Sequence, residues 1–177
     1  MYARGVTRAA WGSVLFFLVA PGVVAGVVPW SITRYTNPAE MPVAVLGLVV
    51  AALGLAALLA CFVQFVREGR GTPAPIAPTE ELVVGGLYRW VRNPMYLAVG
   101  AMILGQAVAF GSVGVLVWFG LFAVAVVSFV MAYEEPTLRR TYGLSYDAYC
   151  RAVPAWWPRI TPWDGPSGSS APTQTDR

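Results

Sequence analysis

The sequence predicts an all-α, polytopic membrane protein with about four transmembrane helices and both termini in the cytosol. Three observations lead there. Of 177 residues, 57% are hydrophobic and 12% charged, about half the ~25% charged share of a soluble domain, and the mean hydropathy is +0.61. Four apolar segments reach or approach the ~20 helical residues that a bilayer core requires. The arginines also segregate along the chain as the loops of a membrane protein do.

The spans run about Ala9–Trp30, Val43–Val66, Met95–Phe110 and Val113–Tyr133. The first follows Arg4 and Arg8 in the manner of a signal peptide. Its apolar run is too long for a signal h-region and more spans follow, so it is read as a span, kinked at Pro21-Gly22. The third is short and ends at Gly111-Ser112, which predicts a tight antiparallel hairpin with the fourth. Residues 1–66 thus form an N-terminal pair of spans. Residues 67–160 form the functional part, and 161–177, rich in Pro, Ser, Gly and Thr, read as a disordered tail.

All 12 basic residues are arginine; lysine and histidine are absent. Arg4 and Arg8 precede span one, and Arg67, Arg70, Arg89 and Arg92 lie between spans two and three. Arg139, Arg140, Arg151, Arg159 and Arg177 follow span four; only Arg34 falls in the first loop. With both termini cytosolic, eleven of the twelve arginines lie inside, as the positive-inside rule requires. The net charge of +3 is then explained by topology and lipid headgroups, and no nucleic-acid partner is expected. A Lys-free chain rich in Ala, Val and Gly points to a GC-rich bacterial genome, hence to the cytoplasmic (inner) membrane.

The missing histidine removes an imidazole base, a Ser-His or Cys-His dyad and histidine metal ligands. Cys61 and Cys150 are far apart and imply no disulfide, and no metal is expected. The connector Gly69–Pro78 is too rich in Gly and Pro for a helix or a central strand. Its isolated Gly69-Arg70-Gly71 is weak evidence of phosphate binding.

Two clusters stand at the junction of span and water. The first is Leu82-Val83-Val84-Gly85-Gly86-Leu87-Tyr88-Arg89-Trp90-Val91-Arg92-Asn93-Pro94-Met95-Tyr96. Asn93 suits an N-cap and Pro94 a first helical position. Arg89 and Arg92 fit either interface snorkelling or, beside an open helix N-terminus, an anion site. The second is Glu134-Glu135-Pro136. Either Pro136 starts a new helix with Glu135 near its cap, or one carboxylate holds a cation; an ionisable residue at a span boundary points to function. Leu138, Tyr142, Tyr146, Tyr149 and Val153 then share a helical face interrupted at Gly143-Leu144-Ser145, with Ser145 able to cap the second piece. This amphipathic tail and the following Trp156-Trp157 could lie on the membrane or close over a pocket.

The pattern LVVGGLYRWVRNPMY, a helical hairpin, then EEPTLRRTYGLSYDAYCRAVPAW resembles the isoprenylcysteine carboxyl methyltransferase family. More widely it is similar to the bacterial and phospholipid methyltransferases, over about Gly69 to Pro158. The resemblance implies a membrane enzyme that uses S-adenosyl-L-methionine in a cytosolic pocket closed by the C-terminal amphipathic segment, with a small lipophilic acceptor arriving from the bilayer. It implies cofactor contacts at Glu80, Glu81, Leu82, Val83, Tyr88, Asn93, Pro94, Met95, Tyr96 and Glu134, and assigns no catalytic side chain. Asn93 stands where the family usually has His. Val130, one α-helical turn before Glu134, stands where prenylcysteine-specific members carry an Arg that meets the substrate; Val130 and Arg92 are the candidate acceptor contacts. A non-catalytic scaffold of the same fold and a sterol-reductase-like oxidoreductase are the alternatives.

Overall fold

The computed structural model describes residues 19–68 and 82–165, and every described element is helical. Arg4, Arg8, the first half of span one, the connector with Glu80 and Glu81, and the last residues of the tail lie outside the described residues. Helix α1 occupies Val19–Thr33, α2 Met41–Glu68, α3 Pro94–Ala109, α4 Val113–Tyr142 and α5 Leu144–Ala152. A single 3₁₀ turn, Gly86–Arg89, leads into α3.

Two of the four expected spans are long and apolar enough to cross a bilayer, Met41–Gln64 and Val113–Tyr142. The 16 residues of α3 rise only about 24 Å against a ~30 Å hydrocarbon core. Over residues 43–63 and 113–133 both long helices are apolar around their whole circumference and leave most of it uncovered: Leu46, Leu53, Leu59, Val117, Leu121 and Val124 are all exposed. Water would not tolerate that surface; lipid does.

Small residues bring α2 and α3 into backbone contact. A Cβ on Gly54 would stand 2.7 Å from the Ala98 carbonyl oxygen, and one on Gly105 would stand 2.5 Å from the Ala51 nitrogen. Gly47 meets the backbone of Ala109 in the same way. In a membrane, where apolar association gains little from water, close approach of small residues is what holds helices together. The core lies where α1, α2, α3 and α4 meet, around Leu58, Ile103 and Val115.

The first span departs from α geometry at a π turn, Val23–Val27, between Pro21-Gly22 and Pro29. The Val28 N–H reaches back to the Val23 carbonyl, and Pro29 has no N–H to give. The carbonyls of Val24 and Ala25 therefore lose their helical donors. Side chains of other helices replace them. Trp118 Nε1 donates to Val24 O at 2.9 Å, and Gln106 Nε2 to Ala25 O at 2.7 Å. Tyr35 Oη donates in turn to Gln106 Oε1 at 2.8 Å. Buried Gln106 thereby pins α1 and its following loop to α3.

Helix α3 turns into α4 through Gly111, at φ +55°, and Ser112, whose hydroxyl accepts from Val115 N. This is the expected tight hairpin. At Pro136, by contrast, the chain does not break: α geometry resumes over Glu135–Tyr142 with the proline in its first turn, as one of the two expected readings has it. A second π turn, Val130–Glu134, precedes the proline at the same spacing as the first precedes Pro29, and α4 runs on to Tyr142. The wider turn accommodates the missing N–H without a break. Ser145, however, does not cap α5. Gly143, at φ +51°, makes the junction, a conformation open to glycine and costly to other residues.

The predicted apolar face of the tail is real: Tyr146, Tyr149 and Val153 are buried, with Leu138 and Tyr142 against them. Beyond it the chain lies along the segment before α3. Pro154 O accepts from Arg92 N, Trp90 O from Arg159 N, and Arg89 O from Trp163 N. Residues 161–164, expected as the start of a disordered tail, belong to this strap; Arg89 also pairs with Asp164.

Candidate functional site

Polar groups from both clusters, though not Arg89 or Glu135, converge on one cavity of about 510 Å³. Its walls are apolar: Ala20, Pro21 and Val24 of α1, Leu58 of α2, Val99 of α3, and Phe122, Ala125, Val126 and Phe129 of α4. One end is polar, formed by Tyr88, Arg92, Asn93, Tyr96 and Glu134, with Pro94 and Met95 between them.

The second π turn explains how Glu134 reaches this cavity. Phe122, Ala125, Val126 and Phe129 follow one another at α-helical spacing on a single face of α4. Continued at the same period, that face would next present Val130 and Tyr133. A turn closed i→i+5 instead puts residues five apart on the same side, and Glu134 joins Phe129. Val130 is only 2% exposed and lies off the cavity wall. In the folded helix, Phe129 holds the place one turn before Glu134 that α periodicity gives to Val130.

Tyr96 Oη donates to Glu134 Oε2 at 2.7 Å, joining the two sequence clusters across the cavity. Arg92 serves the neighbouring carboxylate. Its Nη1 is 3.0 Å from Glu135 Oε1 and donates to Cys150 Sγ at 2.8 Å, so it ties the end of α4 to α5. Among the described residues Glu134 has no cationic partner. The adjacent carboxylates thus differ in kind: Glu135 is ion-paired with Arg92, and Glu134, held by the Tyr96 hydroxyl, faces the cavity without a described ion pair.

Asn93 precedes α3, and Pro94 takes the first helical position as expected. The Asn93 carboxamide does not cap the helix, however. Its Nδ2 donates to the Ala155 carbonyl of the strap at 3.2 Å. Tyr88 is buried beside Cys61 and Val83, and its carbonyl accepts from Tyr149 Oη at 2.7 Å. Burial pushes the Tyr88 phenol well above its ordinary pKa, and burial raises Tyr146 and Tyr149 as well, with Arg92 opposing. All three are neutral hydroxyls at physiological pH.

Leu82 packs with the tail cluster, and Val83 beneath Tyr88; neither lines the cavity. No residue of α5 or the strap lines it either. The tail braces the outer side of the segment before α3. Cys150 and Glu135, which hold Arg92, carry no sequence signal of that role. The small-residue seam Gly47, Ala51, Gly54 is legible at spacings of four and three.

Residues 42–145 match the sequence model of the phospholipid methyltransferase family. The chain belongs to that family. The match spans α2, the segment before α3, the hairpin and the Glu134-Glu135 turn, so this phospholipid methyltransferase family member carries its whole cavity end inside the family region. Comparison with curated proteins and with solved structures finds no match. Family and fold together give a membrane protein of a methyltransferase family. Among the described residues no group of acidic or sulfur ligands is arranged to hold a metal.

Proposed function

We propose that this protein is an S-adenosyl-L-methionine-dependent methyltransferase acting on a small lipophilic or membrane-embedded acceptor. The observation that supports it best is Glu134: a carboxylate at the polar end of a largely apolar cavity, held by the Tyr96 hydroxyl, with no described ion pair of its own because Arg92 is engaged by Glu135. An unbalanced carboxylate there is costly until a cation arrives. S-Adenosylmethionine brings an ammonium and a sulfonium, so the donor set fits it. Glu134 would hold the ammonium through its second oxygen, and the rings of Tyr88 and Tyr96 would pack on the adenine or against the sulfonium. Asn93, Pro94 and Met95 complete the lining. Glu80, Glu81, Leu82 and Val83 enter the proposal through family resemblance.

Bound there, the cofactor supplies an electrophilic methyl group. The chain's part is to align and to keep dry. Phe122, Val126 and Phe129 exclude water, and Tyr96 fixes the Glu134 carboxylate. Alignment of two reactants can remove about 7–11 kcal/mol of barrier in favourable cases. A thiolate or carboxylate acceptor needs no base, whereas an amine can pass its proton toward the Tyr96–Glu134 pair. The arginine distribution supports an orientation with both termini and the connector in the cytosol of a bacterial inner membrane. The test is binding of S-adenosylmethionine to the purified full-length protein by titration calorimetry. Saturable one-site binding supports the reading; its absence in folded protein favours a non-catalytic scaffold and overturns it.

A further inference from the structure

A second concavity, about 490 Å³, lies on the other side of α3 and shares only Pro94 with the cavity above. Its walls are Leu53 and Ala57 of α2 and Leu97 and Ala101 of α3, and it ends against Trp90 and Pro158. The groove therefore runs from the lipid-exposed flank of the two helices to the strap at the end of the spans.

One basic residue of the strap, Arg159, stands beside that end, next to the groove's lining. Arg159 follows Pro158 directly, and its backbone N–H donates to the Trp90 carbonyl at 2.9 Å. Arg159 is half-buried; its Nη1 is buried without an acceptor, and no described acid pairs with it. A buried guanidinium nitrogen left this way costs free energy that an anion would recover. On either side the chain offers Trp157 and Ile160, 80% and 96% exposed. Apolar and aromatic side chains flanking a cation are the composition of a membrane–water boundary.

We propose that this groove binds an anionic phospholipid, with one acyl chain between α2 and α3 and the phosphate paired with Arg159. Charge selects the occupant. A purely apolar partner would leave Arg159 unpaired, and a zwitterionic lipid would bring a competing ammonium. The site is separate from the proposed methyl-transfer cavity and does not depend on that reading.

The test is native mass spectrometry of the full-length protein, released from detergent containing phosphatidylglycerol or phosphatidylcholine. One phosphatidylglycerol per chain is expected to survive release, in preference to phosphatidylcholine. Arg159→Gln should lower its occupancy about ten-fold or more, the scale of one charge-assisted contact. Ala101→Trp, which fills the groove, should abolish it with helix content unchanged; should that variant misfold, Leu97→Trp makes the same test from a more exposed position. Equal retention of the two lipids overturns the proposal. So does wild-type retention in Arg159→Gln or in a folded groove-filling variant. A dimer that dissociates on filling the groove also overturns it, by assigning the groove to a second copy of the chain.

Discussion

Replacing Glu134 by Gln keeps the size of the side chain and removes its charge. In the wild-type cavity Oε2 already accepts from Tyr96 Oη at 2.7 Å, which leaves the other oxygen for a ligand ammonium. A hydrogen bond to a charged partner contributes about 1.5–3 kcal/mol, so Glu134→Gln should weaken S-adenosylmethionine binding roughly 10- to 150-fold. Tyr96→Phe removes only the group that orients the carboxylate and should cost less. Because the two side chains touch, their effects should not add; contacting pairs couple by about 0.5–3 kcal/mol. Titration calorimetry on the two single variants and the double variant, each checked for helix content, gives all the terms. Wild-type affinity in folded Glu134→Gln would refute the reasoning and assign the Tyr96–Glu134 contact a structural role.

Glu135→Gln should leave cofactor affinity nearly unchanged but lower thermal stability by about 1–3 kcal/mol, because it leaves the largely buried Arg92 side chain without its counter-ion; a melting curve in detergent reads this. Gly105→Val forces a side chain against Ala51 N and Gly47 O and should destabilise by about 1–3 kcal/mol, whereas Gly120→Val, in open space, should melt close to wild type. Farnesylcysteine-type carboxylates should be methylated little or not at all in a labelled-methyl assay, since Val130 is apolar and buried and Arg92 is already held by Glu135. Reporter fusions should place both termini on the cytosolic side; an outward C-terminus would reverse the orientation drawn from the arginines.

The long helices were legible because residues 43–63 of α2 and 113–133 of α4 are uncharged apolar runs, and the hairpin because Gly111-Ser112 is a clear turn. The tail's aromatic face was legible from its helical spacing. The cavity was harder to read for a physical reason. Sequence reasoning carries a period of 3.6 along a helix, and the π turn at Val130–Glu134 breaks that period where it matters. Residue types alone do not reveal such a turn, although a proline six residues after its start accompanies both examples in this chain. Asn93 illustrates a second limit. A capping residue before Pro94 is the local optimum, yet the Ala155 carbonyl, 62 residues away in sequence, takes its carboxamide. Ser145 lost its expected place in the same way, because Gly143 alone could turn the chain. The meeting of Tyr96 with Glu134 followed from family resemblance, since α4 is apolar all round over residues 113–133 and offers no periodicity there to tell its cavity face from its lipid face.

The central claim is that Glu134 and Tyr96 hold a methyl donor beside a lipophilic acceptor. Its most direct test is transfer of label from S-adenosyl[methyl-³H]methionine to lipid extract by purified protein, wild type and Glu134→Gln in parallel. The account predicts label in organic-soluble product with the wild type and a loss of at least about ten-fold with the variant at subsaturating cofactor. Equal labelling by the two folded proteins, or none by the wild type across extracts from several bacterial membranes, would contradict it.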